Sequence, residues 1–221
     1  MNYYEVVFDT KRFRFAKEVP GWTQVQRAHD WGIFYEQEML EAIRKQLEPG
    51  DVVFDVGANV GNHSIFMGTI CRAEVHAIEG DPDIFEMLRH NLMMNRAGKV
   101  HAHQQLAGAE RGWACITGGS RGNRQFSLPG PDTPVDCRLF PIIPLDEIKT
   151  SGPAALLKID VEGFELQVLQ GATRILGTER PLIYAEAATL EERNRLDVYL
   201  KAFGYKRRAK FNATPTYLWS V

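Results

Sequence analysis

The stretch LLKIDVEGFEL at residues 156–166 combines the apolar pattern of a buried strand with one cation and three carboxylates. Its charged residues are Lys158, Asp160, Glu162 and Glu165. Isolated charges are expensive to bury, so a fold that places these at the end of a core strand must pair them, solvate them or use them. A use that suits a carboxylate at such a position is proton transfer, with the carboxylate as base.

Each of these charged residues has more than one interpretation. Asp160 and Glu162 are candidate catalytic residues, but both could instead cap the helix that follows and complement its dipole. For Asp160 a catalytic role is favoured over helix capping. For Glu162 the two interpretations are equally supported. Lys158 would neutralise one carboxylate or hold an anionic group of a substrate. Glu165 falls one turn into the helix, and we predict that it is solvated.

A second chemical motif is DVGANVGN at residues 55–62. A dinucleotide-binding fingerprint requires glycine at positions 57, 59 and 62, whereas this sequence has Gly57, Asn59 and Asn62, with its second glycine at Gly61. Gly57 permits a sharp turn and Gly61 a close backbone approach. The motif therefore favours a ligand that has adenosine and ribose but no diphosphate, although a purely structural tight turn has the same composition.

An acidic residue, Glu79, follows this glycine turn by about 20 positions, which is the spacing of a carboxylate that accepts both hydroxyls of a ribose. It lies in HAIEGDP, at the end of a predicted strand. A surface carboxylate that happens to end a strand is the alternative. The agreement of spacing and strand end favours ribose binding.

The elements that must position these residues alternate along the chain. Apolar runs at DVVFDVG, AEVHAIE, VHAHQQLA, AALLKID and RPLIYAEA are separated by segments of helical periodicity, which predicts a parallel sheet covered on both faces. Ligands bind at the carboxyl ends of the strands in such sheets, which is where the motifs lie. We predict one domain over 1–221, with a core over 49–221.

The segments around this core have their own patterns. Residues 1–48 predict a hairpin that turns at Asp9 and Thr10, followed by a lead-in helix. The insert at 109–145 is rich in Gly and Pro and predicts a hairpin followed by a mobile loop. Its candidates for contact with a substrate are Trp113, Arg121, Arg124 and Phe126. The chain ends in a predicted antiparallel hairpin at the sheet edge.

Composition restricts the possible partners and compartment. The chain is 44% hydrophobic and 24% charged with a net charge of −2, which argues against binding to nucleic acid or to a membrane surface. No signal peptide and no run of about 18 apolar residues is recognisable, so we predict a cytoplasmic protein. Cys71, Cys115 and Cys137 show no paired spacing and are predicted to be free, buried thiols, with a metal or redox role as the alternative.

Taken in order, these motifs resemble the FkbM family of S-adenosylmethionine-dependent methyltransferases. The resemblance covers residues 34–188, and KIDVEGFE is its most specific element. One departure is Gly80, which follows the acidic residue where the family commonly has proline. The carboxylate of Glu79 is unaffected by this change.

The resemblance implies a class I methyltransferase fold, which is Rossmann-like, with a seven-stranded sheet that includes an antiparallel strand. It also implies S-adenosylmethionine as cofactor and O-methylation of a hydroxyl on a sugar, a polyketide or a similar small molecule. The cofactor-binding residues that it implies are Asp55, Gly57, Ala58, Asn59, Gly61, Asn62, Glu79, Gly80 and Ala107. Asp55, Gly57, Asn59 and Gly61 would surround the methionine part, Glu79 would bind the ribose, and Ala107 would lie near the adenine.

The catalytic assignment leaves alternatives open. His63, near the expected sulfonium, is a further candidate base, although a lone histidine is more often a packing or capping residue. Asp160 and Glu186 would be neighbours if their strands pair and could then hold Mg²⁺, but we predict a site without metal. The rival functions are a nicotinamide-dependent oxidoreductase, which the glycine spacing disfavours, and a non-catalytic nucleoside-binding module.

Overall fold

The computed structural model describes residues 3–17, 23–120, 123–130 and 137–221, with the backbone alone at 116–120 and 123–126. The strands, numbered in chain order, are β1 (Tyr3–Phe8), β2 (Lys11–Ala16), β3 (Val52–Val56), β4 (Glu74–Ile78), β5 (Val100–His103), β6 (Leu106–Ala107), β7 (Gly112–Ser120), β8 (Asn123–Ser127), β9 (Leu139–Ile143), β10 (Ala154–Ile159), β11 (Leu182–Glu186), β12 (Lys206–Phe211) and β13 (Thr216–Ser220). The helices are α1 (Gln24–Asp30), α2 (Gln37–Arg44), α3 (Asn62–Thr69), α4 (Pro82–Met94), α5 (Glu165–Gln170) and α6 (Leu190–Lys201).

The central sheet has seven strands in the order β12-β13-β11-β10-β3-β4-β5. Strands β5, β4, β3, β10 and β11 pair in parallel, whereas β13 pairs antiparallel with both β11 and β12. The mostly parallel, Rossmann-like sheet with a C-terminal antiparallel hairpin is therefore confirmed. From β3 the chain first builds outward through β4 and β5, and later through β10 and β11 on the other side. This reversal opens a crevice at the carboxyl ends of β3 and β10.

Two apolar layers cover the sheet, which is why its central strands are apolar on both sides. On one face, side chains of α2, α3 and α4 pack together with those of the β1–β2 hairpin. On the other face, the layer is formed by α5, α6 and the turn at Ile175–Glu179. All five residues of β3 are buried as a result.

The N-terminal hairpin is confirmed, and its turn contains Asp9 at φ 52°. Its phenylalanine side chains are buried, with the centroids of the Phe13 and Phe34 rings 5.0 Å apart. The helix α1 was not predicted. It begins with a capping box in which the Thr23 side chain accepts from Gln26 N while the Gln26 side chain accepts from Thr23 N.

The predicted third strand, VHAHQQLA, is wrong in its extent. Strand β5 ends at His103, where Gln105 N donates to the His103 carbonyl and turns the chain. The remaining residues form β6, which belongs to a separate four-stranded sheet of order β6-β9-β7-β8. The insert therefore builds its own sheet, in which the predicted hairpin is the β7–β8 pair. The predicted mobile loop falls partly on 121–122 and 131–136, which lie outside the described residues.

The cysteine prediction is right for one thiol and wrong for two. Cys71 is free and buried, as expected. Cys115 and Cys137 form a disulfide across 22 positions of sequence, with their Cα atoms 6.0 Å apart. The pairing arises because β7 lies antiparallel to β9, which brings Cys115 opposite Leu139, two residues after Cys137. Nothing in the cysteine spacing indicates this contact, because it depends on the pairing of two strands.

Candidate active site

A cavity of about 420 Å³ opens at the carboxyl ends of the central strands. Its predicted cofactor-site residues are Gly57, Ala58, Asn59, Asn62, Glu79, Gly80 and Ala107, and its predicted catalytic residues are His63, Lys158, Asp160 and Glu162. Residues that were not predicted also line it, namely Thr23, Gln24, Val25, Tyr35, Gln105, Phe164 and Thr214. Residues from distant motifs therefore meet at the carboxyl ends of the strands, as expected for a parallel sheet. The volume of the cavity lies in the range of small-ligand pockets.

The glycine turn after β3 is held tightly between its neighbours. Gly57 has φ +77°, and a Cβ added to it would lie 1.9 Å from the Asp160 carbonyl oxygen. On the other side, Gly57 N and Ala58 N both donate to the Ile78 carbonyl at 3.0 Å. The turn consequently exposes backbone to the cavity at a position where no larger residue fits.

Glu79 is fixed by two backbone amides. Its Oε2 accepts from Asn59 N at 2.9 Å and its Oε1 accepts from Asp81 N at 2.8 Å. Burial raises the pKa of Glu79 to about 7, although these two hydrogen bonds act in the opposite direction. The carboxyl group is thus pre-positioned at the cavity wall, with lone pairs left to accept further hydrogen bonds.

Gly80 packs against β6 at the wall of the cavity. A Cβ on Gly80 would lie 2.3 Å from the Leu106 side chain, so β6 can approach the β4 end only because residue 80 is glycine. Gly80, Gln105 and Ala107 all line the cavity. The departure from the family pattern at residue 80 therefore has a packing reason in this chain.

Two predicted cofactor residues lie behind the cavity and do not line it. Asp55 is completely buried, and its Oδ2 accepts from Ser64 Oγ at 2.5 Å. Gly61 is the residue before α3 at φ +88°, where a Cβ would lie 2.7 Å from Leu88. These residues shape the turn and its packing without facing the cavity.

Lys158 is buried between two carboxylates. Its Nζ lies 3.4 Å from Asp55 Oδ1 and 3.4 Å from Asp160 Oδ2. Burial alone would lower the pKa of Lys158, but the charges of Asp160, Asp55 and Glu36 outweigh it and raise the pKa. Of the two predicted roles, this geometry supports neutralisation of carboxylates, because the ammonium is already engaged by protein groups.

Three carboxyl groups converge at the ends of β10 and β11. Ligand oxygens of Asp160, Glu162 and Glu186 all lie within 4.8 Å of one another. Burial raises the pKa of Glu186 to about 9, and the negative charge of Asp160 adds to this. Burial also opposes ionisation of Asp160, but the charges of Lys158 and His63 outweigh it, so the pKa of Asp160 is lowered.

The two pKa shifts have opposite directions, which favours a proton on Glu186 in its hydrogen bond to Asp160. Oxygen ligands of this kind also suit Mg²⁺, so the three carboxyl groups fit a divalent cation by their chemistry. A shared proton and a cation are two ways to relieve the same repulsion. The prediction of a site without metal therefore stays a prediction.

The prediction that Glu165 is solvated is wrong. Its side chain is buried, and its Oε1 accepts from Val161 N and from Gly163 N, both at 3.2 Å. Burial raises the pKa of Glu165 to about 7 despite these bonds. The carboxyl group folds back over the start of α5 and fixes the turn that carries Asp160 and Glu162.

Replacing Glu165 with Ala is expected to lower the free energy of unfolding by about 1–2 kcal/mol, because two backbone amides lose their acceptor. Glu165→Gln retains an acceptor oxygen, so its loss should be under about 1 kcal/mol. Urea denaturation at pH 7 measures both changes. Equal losses in the two variants would contradict the assignment of these hydrogen bonds.

The lead-in to α2 contributes one charged contact and one pair of neutral hydrogen bonds that sequence reasoning missed. Glu36 has φ 57°, and its buried Oε2 lies 3.0 Å from His63 Nε2. Asn62 accepts from Tyr35 N and donates to the Tyr35 carbonyl, each at 3.0 Å. A carboxylate two positions after Phe34 gives little indication of this contact in the sequence, because its partner His63 lies 27 positions further along the chain.

Comparison with known proteins supports the architecture. A model of the methyltransferase FkbM domain matches residues 55–207. The crystal structure of methyltransferase FkbM from Methylobacillus flagellatus KT superposes with a TM-score of 0.60 at 19% identity, over 90% of this chain and 53% of that one. A precorrin-6y C5,15-methyltransferase from Geobacter metallireducens GS-15 gives a TM-score of 0.54 at 17% identity, over 94% and 92%. At these identities the superpositions show a shared fold.

Two curated proteins are similar in sequence. The hexuronic acid methyltransferase AglP of Haloferax volcanii is 30% identical over 146 residues, which are 64% of this chain and 58% of that protein. The 31-O-demethyl-FK506 methyltransferase FkbM of Streptomyces tacrolimicus is 35% identical over 158 residues, which are 57% of this chain and 61% of that protein. The chain thus spans about three fifths of the length of these relatives. Because the family model covers more than half of its residues, the chain belongs to the FkbM methyltransferase domain family.

Proposed function

We propose that this protein transfers a methyl group from S-adenosylmethionine to a hydroxyl of a sugar, a polyketide or a related small molecule. The observation that carries the proposal is that one cavity joins the Gly57 turn and Glu79 to the carboxyl groups at the ends of β10 and β11. The first pair suits a nucleoside without diphosphate, and the carboxyl groups suit removal of a proton. We also retain the prediction of a cytoplasmic location; among the described helices, none has the length and apolarity that a bilayer span requires.

The binding roles are assigned to residues that line the cavity. Glu79 would accept hydrogen bonds from the ribose hydroxyls, and the segment of Gly80, Gln105 and Ala107 would lie against the adenine. The turn at Gly57 and Ala58 would bring backbone close to the methionine part. When bound, the cofactor supplies an activated methyl group on a sulfonium.

The acceptor end of the cavity combines orientation with charge. An ionised Asp160 faces the cavity with its side chain 30% exposed, so it can accept a proton from a bound hydroxyl. Lys158 neutralises part of this charge and holds the carboxylate in place. The negative charge at the cavity wall also attracts the positive sulfonium of the cofactor more strongly than the neutral thioether of the product. The product should therefore be released more readily. Most of the acceleration would come from aligning the hydroxyl with the methyl group and excluding water.

A first experiment tests the cofactor class. Thermal unfolding is measured with S-adenosylhomocysteine and, in parallel, with NAD. A ligand at 100 times its dissociation constant should stabilise the protein by about 2.7 kcal/mol, and we expect this of the sulfur nucleoside alone. Stabilisation by NAD alone would favour the oxidoreductase, and no response to the sulfur nucleoside would refute the proposal.

A second experiment tests the reaction. Transfer of labelled methyl from S-adenosylmethionine is followed with hexuronic acid glycosides, neutral sugars and hydroxylated macrolides as acceptors. The first and last follow the names of the two curated relatives. Cofactor binding without transfer to any hydroxyl would favour the non-catalytic module. Unchanged turnover in EDTA would support chemistry without metal, and a requirement for added Mg²⁺ would contradict it.

Binding of S-adenosylhomocysteine should depend on pH through Glu79. The ribose hydroxyls donate to the ionised carboxylate, so binding must remove the proton that Glu79 holds below its pKa of about 7. Affinity should therefore fall as the pH is lowered, by about tenfold between pH 8 and pH 6. Isothermal titration calorimetry measures the change.

The control for this prediction is Glu79→Gln. It cannot ionise, so it should bind more weakly than wild type but with similar affinity at both pH values. A wild-type affinity that is the same at pH 6 and pH 8 would remove Glu79 from the ribose site.

A further inference from the structure

A group of histidines lies on β4 and β5, apart from the residues that line the cavity. Strand β5 is the edge of the central sheet, and His76 on β4 is in register with His101 on β5. His103 follows two positions later and therefore shares the face of His101. The ring of His76 lies 5.2 Å from that of His101 and 5.3 Å from that of His103, so the three imidazoles are in contact on one face of the sheet.

Two ring nitrogens in this group face each other directly. His76 Nδ1 lies 3.0 Å from His103 Nε2. The other ring nitrogen of His76 lies 3.2 Å from Glu74 Oε1, and Glu74 is itself held by the side chain and the backbone amide of Ser151. A carboxylate that fixes the far nitrogen of an imidazole is the usual way in which a metal-binding histidine is oriented.

We propose that His76 Nδ1 and His103 Nε2 bind a borderline transition-metal cation such as Zn²⁺, with water completing its coordination. Tetrahedral zinc with bonds of about 2.0–2.1 Å places two nitrogen ligands about 3.3 Å apart. The observed separation is 3.0 Å in a hydrogen bond between the two rings, so a cation would replace that bond while the rings part by about 0.3 Å and turn until both lone pairs point to it. The site does not depend on the proposed methyl transfer.

The surroundings of the two rings fit this role. Glu74 provides a negative charge next to His76, and the half-buried His103 gives access from solvent.

The ligand type separates this site from the three carboxyl groups in the cavity. Imidazole nitrogens suit zinc, copper and nickel, whereas carboxylate oxygens suit magnesium and calcium. The main chain links the histidine pair to the cofactor cavity, because the His103 carbonyl accepts from Glu79 N at 3.1 Å. A cation there would tie β4 to β5 next to the ribose-binding segment.

The test uses untagged protein labelled with ¹⁵N-histidine and titrated with ZnCl₂. We expect the ring ¹⁵N resonances of His76 and His103 to shift on addition of Zn²⁺, whereas those of His90 on α4 stay unchanged. This signal reports on imidazoles, so zinc taken up by the cavity carboxylates does not affect it. Unchanged His76 and His103 resonances would overturn the proposal.

Matched variants identify the ligands. His103→Gln should weaken Zn²⁺ binding, measured from the His76 resonance, by at least about tenfold. The affinity for Zn²⁺ should change by less than about twofold in His101→Gln, which is on the same strand and face, and in His90→Gln. If His101→Gln lost as much Zn²⁺ affinity as His103→Gln, the assignment of His76 and His103 as the ligand pair would be overturned. Thermal unfolding confirms that each variant is folded, which is expected because these three histidines are partly exposed.

Discussion

The Asp160→Asn enzyme is expected to turn over at least about 100-fold more slowly than wild type while binding S-adenosylhomocysteine with nearly unchanged affinity. Asparagine has almost the same shape, and the Asp160 backbone amide would still donate to the Val56 carbonyl at 3.0 Å. The substitution removes the negative charge that would accept the proton of the hydroxyl, and with it one of the two carboxylates next to Lys158. Labelled-methyl transfer and calorimetry measure the two quantities separately.

Asp160→Glu is the matched control for this prediction. It keeps the negative charge next to Lys158 but moves it by one methylene, so its turnover should lie between those of wild type and Asp160→Asn. A fully active Asp160→Asn enzyme would return Asp160 to the role of a helix-capping residue. Loss of cofactor affinity together with turnover would assign Asp160 to cofactor binding instead of proton transfer.

Gly57→Ala is expected to lower the free energy of unfolding by at least about 3 kcal/mol. Two costs add at this position. The backbone has φ +77°, which alanine adopts only with strain, and the new Cβ would lie 1.9 Å from the Asp160 carbonyl oxygen. The end of β10 would have to move away from β3, which would also displace the acceptor side of the cavity. Urea denaturation measures the effect on stability.

Two other glycines separate these costs. Gly50 has φ +100° but no atom within 4 Å of an added Cβ, so Gly50→Ala should show the backbone cost alone, about 1–2 kcal/mol. Gly98 lies outside the left-handed region of φ and has no atom within 4 Å of an added Cβ. The free energy of unfolding of Gly98→Ala should therefore lie within about 0.5 kcal/mol of that of wild type. If Gly57→Ala cost no more than Gly50→Ala, the close approach to Asp160 would not be rigid.

Much of the fold could be predicted because its signals are local. Apolar runs separated by amphipathic segments predict parallel strands, and the end of each strand is marked by a residue such as Gly57, Glu79 or Asp160. Parallel strands align their carboxyl ends at one edge of the sheet, so these residues had to meet. This rule left open whether β10 pairs with β11, and the structure shows the pairing that brings Asp160 next to Glu186.

The missed features depend on contacts between segments that are distant in sequence. VHAHQQLA reads as one strand, but its second half joins a different sheet because β9 is available to pair with it. Glu165 has the pattern of a surface position in a helix, yet it is buried because its carboxyl group turns back onto Val161 N and Gly163 N. Local periodicity carries no information about either partner.

The sequence alone determined the class of sheet, the place of the cavity along the chain and the residues at its strand ends, because strand and turn preferences are properties of short segments. The tertiary structure decided which charges are neutralised and which stay available. Lys158 lies between Asp55 and Asp160, Glu36 contacts His63, and burial next to the charge of Asp160 raises the pKa of Glu186. The state of a buried charge depends on its neighbours in space, and those neighbours come from other strands and helices.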